Sequence, residues 1–208
     1  MTPWAIVVAA GSGERYGGPK HELMLDGVPL WKRSVLTLRA AGVDSVVVVG
    51  DVEGGIPGGA RRRDSVAAGL AAVPEMVDWV LVHDGARPLV TRRLVARVVE
   101  AALSGVADAV VPALEVTDTL KEVEGAAVVG TVDRSRLAAV QTPQAFRASM
   151  LREAHRIDPD DDVTDDAGLI ERIGGTVVCV RGERTNIKIT FEGDLAIAGA
   201  ILEQLHDD

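Results

Sequence analysis

Short apolar runs, each too brief to make a buried helix, recur through the first half of the chain. They are "WAIVV" (4–8), "SVVVVG" (45–50), "WVLVHD" (79–84) and "DAVVPAL" (108–114). A strand with one face in water alternates apolar and polar residues; an unbroken apolar run is a strand covered on both faces, as in a parallel sheet. The segments between the runs have helical spacing. Trp31, Val35, Leu38 and Gly42 share a face, as do Val66, Leu70 and Val73, and Leu94, Val98 and Ala102 after Thr91 as N-cap. Asp64 or Ser65 would cap the second of these helices. Strand and helix in alternation predict an α/β fold with a doubly wound, mostly parallel, Rossmann-like sheet. At 208 residues and 47% hydrophobic content, the chain suits one domain spanning 1–208.

The rhythm breaks at 115–146, "EVTDTLKEVEGAAVVGTVDRSRLAAVQTPQAF", where polar and apolar residues alternate around "EGAA". This predicts an antiparallel hairpin leaving the sheet, and a hairpin of that kind is marginal without a surface to pack on. Helices are expected near 147–156 and 164–173, then a strand "TVVCV", a strand-like "NIKIT" (186–190) and a final helix "EGDLAIAGAILEQL".

A net charge of −9 argues against a general nucleic-acid binder, which would carry a basic stripe. No apolar run approaches the ~20 residues that span a bilayer, and the start lacks the basic and long apolar regions of a secretory signal. The single cysteine, Cys179, lies among valines and is read as a core residue. A reduced, cytoplasmic protein is expected.

Against that acidic balance, "AAGSGERYGGPK" (9–20) places four glycines and two cations directly after the first strand. Ligands of open α/β sheets sit at the carboxyl ends of the strands, glycines let backbone N–H groups approach oxyanions, and Arg15 and Lys20 add charge. The dinucleotide fingerprint fails because Tyr16 stands where its third glycine belongs. A phosphate-binding loop beginning at Gly13 fails as well, since Pro19 and Lys20 stand where Lys and Ser or Thr belong. "VHDGARP" (82–88) ends the third strand with Asp84, Gly85 and Arg87: either a carboxylate and a phosphate-binding arginine in a site, or a salt bridge closing a turn. His83 beside them is read as a core histidine. "GGARRRDSVAAGL" (58–70) carries three arginines, a solvated basic patch or part of a site. Lys188 faces opposite to Ile187 and Ile189, toward solvent or into a cleft. The acidic "DPDDDVTDD" (158–166) lacks the glycine and closing glutamate of a calcium loop and is read as solvated; no set of residues is read as a metal site.

Taken in order, "AAGSGERYGGPK", "GGARRRDSV", "VHDGARP", "DTLK…TVDR", "QTPQAF", "VTDDA" and "NIKIT" resemble the 2-C-methyl-D-erythritol 4-phosphate cytidylyltransferase family over nearly the whole chain. The resemblance implies attack of the polyol phosphate on the α-phosphorus of CTP, with Mg2+ held mainly by the CTP phosphates. It places the nucleotide on the backbone of Ala9, Ala10, Gly11 and Gly13, the cytosine at Gly59, Ala60 and Ser65, and the ribose along Gly85. Arg15, Lys20, Lys188 and Arg147, the last just after "TPQ-x-F", would be the catalytic cations. Asp84 and Arg87 would hold the methylerythritol part, and Thr131 and Thr164 its phosphate. The 115–146 hairpin would be the arm of a homodimer, carrying Thr131 to the partner's site. A chain ending near 208 leaves no room for the cyclodiphosphate synthase domain that some members carry fused.

Two other functions fit parts of this pattern. One is a cytidylyltransferase for another polyol phosphate such as ribitol 5-phosphate; the other is a catalytically silent nucleotide-binding protein on the same fold. Arg15, Lys20, Asp84 and Lys188 together speak for catalysis. Product formation separates the alternatives.

Overall fold

The computed structural model of the chain describes residues 2–11, 13, 16–18, 23–157 and 164–206. The expected strands form: β1 (Trp4–Val8), β4 (Val46–Val49), β5 (Trp79–Asp84), β6 (Ala109–Glu115) and β11 (Val177–Arg181). Two short strands that the apolar pattern does not announce, β2 (Met24–Leu25) and β3 (Val28–Pro29), pair as a separate ribbon. The helices are α1 (Leu30–Ala40), α2 (Arg62–Ala71), α3 (Arg92–Leu103), α4 (Ala148–Ile157), α5 (Asp166–Arg172) and α6 (Gly193–His206).

The main sheet runs β11-β6-β10-β5-β1-β4, where β10 is Gln144–Arg147. Along this path the pairs are parallel except those of β10, which lies antiparallel between β5 and β6; off it, a further short strand pairs antiparallel with β6. Both faces are covered, which is why the strands read as unbroken apolar runs. Ile6, Val80 and Val82 pack with Val66 and Leu70 of α2, Leu151 of α4 and Ile170 of α5. On the other face Ala5, Val7 and Leu81 meet Val35 and Leu38 of α1 and Leu94 and Val98 of α3. Thr91 caps α3, its hydroxyl accepting from the Leu94 N–H at 3.0 Å.

The 115–146 stretch is only partly a hairpin. β7 (Leu120–Glu124) and β8 (Ala127–Val132) pair as a two-stranded sheet, but β9 (Ala138–Val140) returns to β6 and "QTPQAF" ends buried in the main sheet. Alternation across 138–146 therefore reports a return to the core. "NIKIT" forms no strand; it runs beside the site as irregular backbone, with the Ile189 N–H bonded to the Ala86 carbonyl at 2.8 Å. Cys179 is exposed rather than in the core. It sits on β11, at the edge of the sheet, where Val178 and Val180 on the opposite side make the apolar contacts.

Candidate active site

The carboxyl ends of β1, β4 and β5 lie side by side, with Val8 in register with both Val49 and Asp84. The chain leaving β1 is tied to both neighbours: the Ala9 N–H donates to the Val49 carbonyl at 2.7 Å, and the Gly85 N–H donates to the Val8 carbonyl at 2.8 Å. The segment before α2 then closes on it. A Cβ at Gly58 would stand 2.3 Å from the Ala10 Cβ, and one at Gly59 would stand 2.2 Å from the Asp64 Cβ, so only glycine lets these backbones approach. Ser65 does not cap α2. Its hydroxyl accepts the Gly59 N–H at 3.1 Å, while Asp64 reaches back to the Arg61 N–H at 3.1 Å, because the helix begins at Arg62 rather than after Asp64.

Asp84, at the end of β5, is 8% exposed and has a cation on each oxygen. Arg62 Nε donates to Oδ1 at 3.1 Å and Lys188 Nζ to Oδ2 at 2.6 Å. Burial alone would raise the carboxyl pKa, but Arg62 and Lys188 outweigh it and hold the group well below the ordinary carboxylate range. Neither a turn-closing Asp84–Arg87 bridge nor a solvent-facing Lys188 describes this arrangement. Arg87 instead donates from Nη1 to the Asn186 carbonyl at 2.7 Å, and its Nε is buried without a hydrogen-bond partner.

The three arginines are not a solvated patch either. Arg61 pairs with Asp64 at 2.8 Å. Arg63, 4% exposed, donates to the His155 carbonyl at 3.0 Å. Arg62 bridges Asp84 and Asp166, with Nη1 2.6 Å from Asp166 Oδ2. Asp166 in turn accepts from His155 Nε2 at 3.0 Å. It is 1% exposed, so the end of the acidic run is buried and not solvated. Asp165 caps α5 through the Gly168 N–H at 3.1 Å and accepts from Gln144 Nε2 at 2.9 Å.

His83 is a core histidine, fully buried on the opposite face of β5. Thr142 Oγ1 accepts the Asp84 N–H at 3.0 Å and donates to His83 Nδ1 at 3.1 Å, because the carbonyl facing Nε2 can only accept and so keeps the ring proton on that nitrogen. That carbonyl is Arg87's, 3.2 Å away. Burial, only partly opposed by Asp84, pushes the imidazole pKa down to about 4, so the ring is neutral.

Of the candidate residues named from the sequence, the fold brings Ala9, Ala10, Gly59, Ser65, Asp84, Gly85, Arg87 and Lys188 to this end of the sheet. Gly11 and Gly13 continue from β1, with the Gly13 carbonyl accepting from Tyr16, and Ala60 is exposed just before α2. Thr164 is exposed next to the Asp165 cap. Arg15 and Lys20 lie outside the described residues. Thr131 is on the hairpin, where its hydroxyl accepts from Lys121 Nζ at 2.6 Å. Arg147 is not at this site. It pairs with Trp79 at the start of β5, roughly 17 Å of strand from Asp84, stacked 5.2 Å over the Trp79 ring and 3.4 Å from Asp108. The antiparallel course of β10 sends it to the far end. Sequence reasoning misses Asp166, His155 and Gln144. The apolar spacing after "DDA" is a helix start that marks the pair of aspartates, whereas nothing in the sequence singles out His155.

A model of the 2-C-methyl-D-erythritol 4-phosphate cytidylyltransferase family (IspD) matches residues 4–204. A Rhodococcus jostii (strain RHA1) protein named 2-C-methyl-D-erythritol 4-phosphate cytidylyltransferase is 46% identical over 218 residues, covering 96% of this chain and 95% of that protein. A Solidesulfovibrio magneticus protein named bifunctional enzyme IspD/IspF is 44% identical over 225 residues; the alignment covers 94% of this chain but 56% of that protein, so the chain spans about half of the bifunctional relative. Among solved structures, 2-C-methyl-D-erythritol 4-phosphate cytidylyltransferase from Thermus thermophilus superposes with a TM-score of 0.82 at 38% identity, covering 98% of this chain and 100% of the other.

Proposed function

The chain belongs to the 2-C-methyl-D-erythritol 4-phosphate cytidylyltransferase family, and on that premise we propose that it transfers the cytidylyl group of CTP to 2-C-methyl-D-erythritol 4-phosphate, releasing pyrophosphate in isoprenoid biosynthesis. The observation that carries the reading is the meeting of Lys188 with Asp84, 2.6 Å apart at the end of β5, beside the glycine-cleared loop of β1. Three of the motifs that resemble the family converge there.

In this mechanism an oxygen of the polyol phosphate attacks the α-phosphorus of CTP, and the bond to the bridging oxygen of pyrophosphate breaks. A phosphate monoester is already anionic near neutral pH, so no general base is needed, and the work is positioning and charge stabilisation. Backbone from Ala9 to Gly13 takes the triphosphate; Gly59, Ala60 and Ser65 take the cytosine; and Gly85 lies along the ribose. Arg15, Lys20 and Lys188 offset the charge that builds on the transferring group. Asp84 and Arg87 hold the polyol, with Thr164 on its phosphate. Arg147 has no part in it. Each oxygen of Asp84 and of Asp166 already accepts from a protein donor, and among the described residues no group of three or more His, Cys, Asp or Glu side chains is placed to hold a metal ion. Mg2+ would be held mainly by the CTP phosphates, where it would supply charge neutralisation during the transfer.

The same proposal includes a homodimer through the β7–β8 hairpin, whose Val123, Val128, Val129 and Val132 are exposed, with Thr131 serving the partner's site. It also includes a cytoplasmic location; among the described residues no helix is long and apolar enough to cross a membrane.

Pyrophosphate release is the test, with MgCTP and either methylerythritol phosphate or ribitol 5-phosphate. Release with the first alone is expected. Release with ribitol phosphate alone would keep the chemistry and change the acceptor. CTP binding with no release from either would make this a nucleotide-binding protein.

A further inference from the structure

Asp84 does not stand alone against its two cations. Behind it runs a line of hydrogen-bonded side chains through three helix ends: Lys188, Asp84, Arg62 at the start of α2, Asp166 at the start of α5, and His155 in the last turn of α4. The contacts are 2.6, 3.1, 2.6 and 3.0 Å in that order. Arg63 adds a further tie by donating to the His155 carbonyl at 3.0 Å, joining α2 to α4. Arg62 thus lies between two buried carboxylates of opposite placement, one on the site and one behind it. Burial would raise the pKa of Asp166, but the hydrogen bond from His155 and the charge of Arg62 outweigh it and keep the group ionised.

This arrangement bears on what Arg62 can do. With one carboxylate at Nε and another at Nη1, its charge is already compensated, so it adds little for a phosphate. What it does provide is direction. A guanidinium is a rigid planar fork, and holding its far edge fixes its near edge. Asp84 Oδ1 is fixed by that near edge and Oδ2 by Lys188. The lone pairs not used by these donors remain for substrate hydroxyls.

We propose that Arg62 is a positioning residue for Asp84, held from behind by Asp166 and His155, and that this buried line sets the carboxylate in the orientation that binds the polyol. The inference rests on the reading of Asp84 as the polyol-binding carboxylate. It assigns no substrate contact to Arg62, Asp166 or His155.

Two readouts test it, one kinetic and one independent of turnover. Asp166→Asn keeps the size of the rear group and removes its charge; Arg62→Lys keeps the cation and removes the fork. Both are expected to raise KM for methylerythritol phosphate at least tenfold, while the dissociation constant for MgCTP stays within about twofold. A merely structural role would weaken both ligands together or change thermal stability alone, and either pattern would overturn the proposal. The second readout is the proton on Arg62 Nε in NMR spectra of the free protein, assigned from its loss in Arg62→Lys. It is expected as a slowly exchanging signal in the wild type and as a lost one in Asp166→Asn; its persistence in Asp166→Asn would overturn the proposal. If Asp166→Asn does not fold by circular dichroism, His155→Gln, which leaves both carboxylates, takes its place. The expected rise in KM is then about threefold, with the MgCTP constant again unchanged, and no rise would count against the proposal. A wild type that turns over neither polyol phosphate strikes the proposed function, and the arginine signal alone then decides this inference.

Discussion

At the residue scale the site depends on how many donors a single carboxylate accepts. Asp84 is bound by Arg62 and Lys188 and still has acceptor capacity, because an ionised carboxylate offers about four lone-pair directions. Lys188 is the more exposed partner of the two and the one proposed to face the transferring phosphate. Lys188→Met keeps most of the stem and removes the charge. It should lower turnover by about 10²–10³-fold, the usual loss for one preorganised charge-stabilising donor, and single-turnover pyrophosphate release would measure it. Turnover within about threefold of wild type would remove Lys188 from the mechanism. Asp84 and Arg87 were legible as candidates because strand ends are where open α/β sheets place ligands, whereas Lys188, on irregular backbone, was open between solvent and a cleft and gained a site role only from the family resemblance. Asp166 was not legible: a carboxylate in an acidic run looks solvated until Arg62, 104 residues away, is found against it.

At the element scale the legible part was the alternation of apolar strand and amphipathic helix, and it succeeded for β1, β4, β5, β6, β11 and the helices between them. It failed where one short segment serves two structures. β10 has only four residues, and its pairing with β5 and β6 is set by long-range contacts that period alone cannot show. The same antiparallel course explains the misplaced Arg147. What a pattern of glycines does predict is close approach, and Gly58 against Ala10 is the tightest case between the β1 loop and the lead into α2. Gly58→Ala should push these two segments apart and weaken MgCTP binding by about tenfold or more. Adding Ala10→Gly removes the atom it meets, so the double variant should recover part of that affinity in a calorimetric titration. Equal affinities for the single and double variants would show that the contact does not shape the nucleotide loop.

At the scale of the whole molecule, one exposed feature and one buried feature bear on assembly and stability. Val123 and Val128 are cross-strand partners on the hairpin, both exposed. Replacing them as Val123→Lys with Val128→Glu keeps a favourable pair within the hairpin but charges its surface. On the proposed homodimer, sedimentation should report a dimer for the wild type and a monomer for this double variant; a dimer in both would place the interface elsewhere, and a monomeric wild type would overturn the dimer. The buried feature is His83, whose neutral ring joins β5 to α1 through Ser34 and to the loop after Asp84 through the Arg87 carbonyl. Its pKa in the folded chain is about 4, against an ordinary 6.5. Between these values the unfolded chain binds the proton and the folded chain does not, so stability falls as pH drops from 6.5 towards 4. At about 1.4 kcal/mol per pH unit the whole window is worth about 3 kcal/mol. Asp84 and Asp166 act in a lower window: their pKa values are depressed, so the stability they contribute is lost only below the ordinary carboxylate range. Urea unfolding at about pH 7 and about pH 5 should therefore show a clear loss of stability in the wild type and a shallower one in His83→Gln, which cannot take up the proton. Equal slopes in the two proteins would mean that His83 is not the group that links folding to pH in this range.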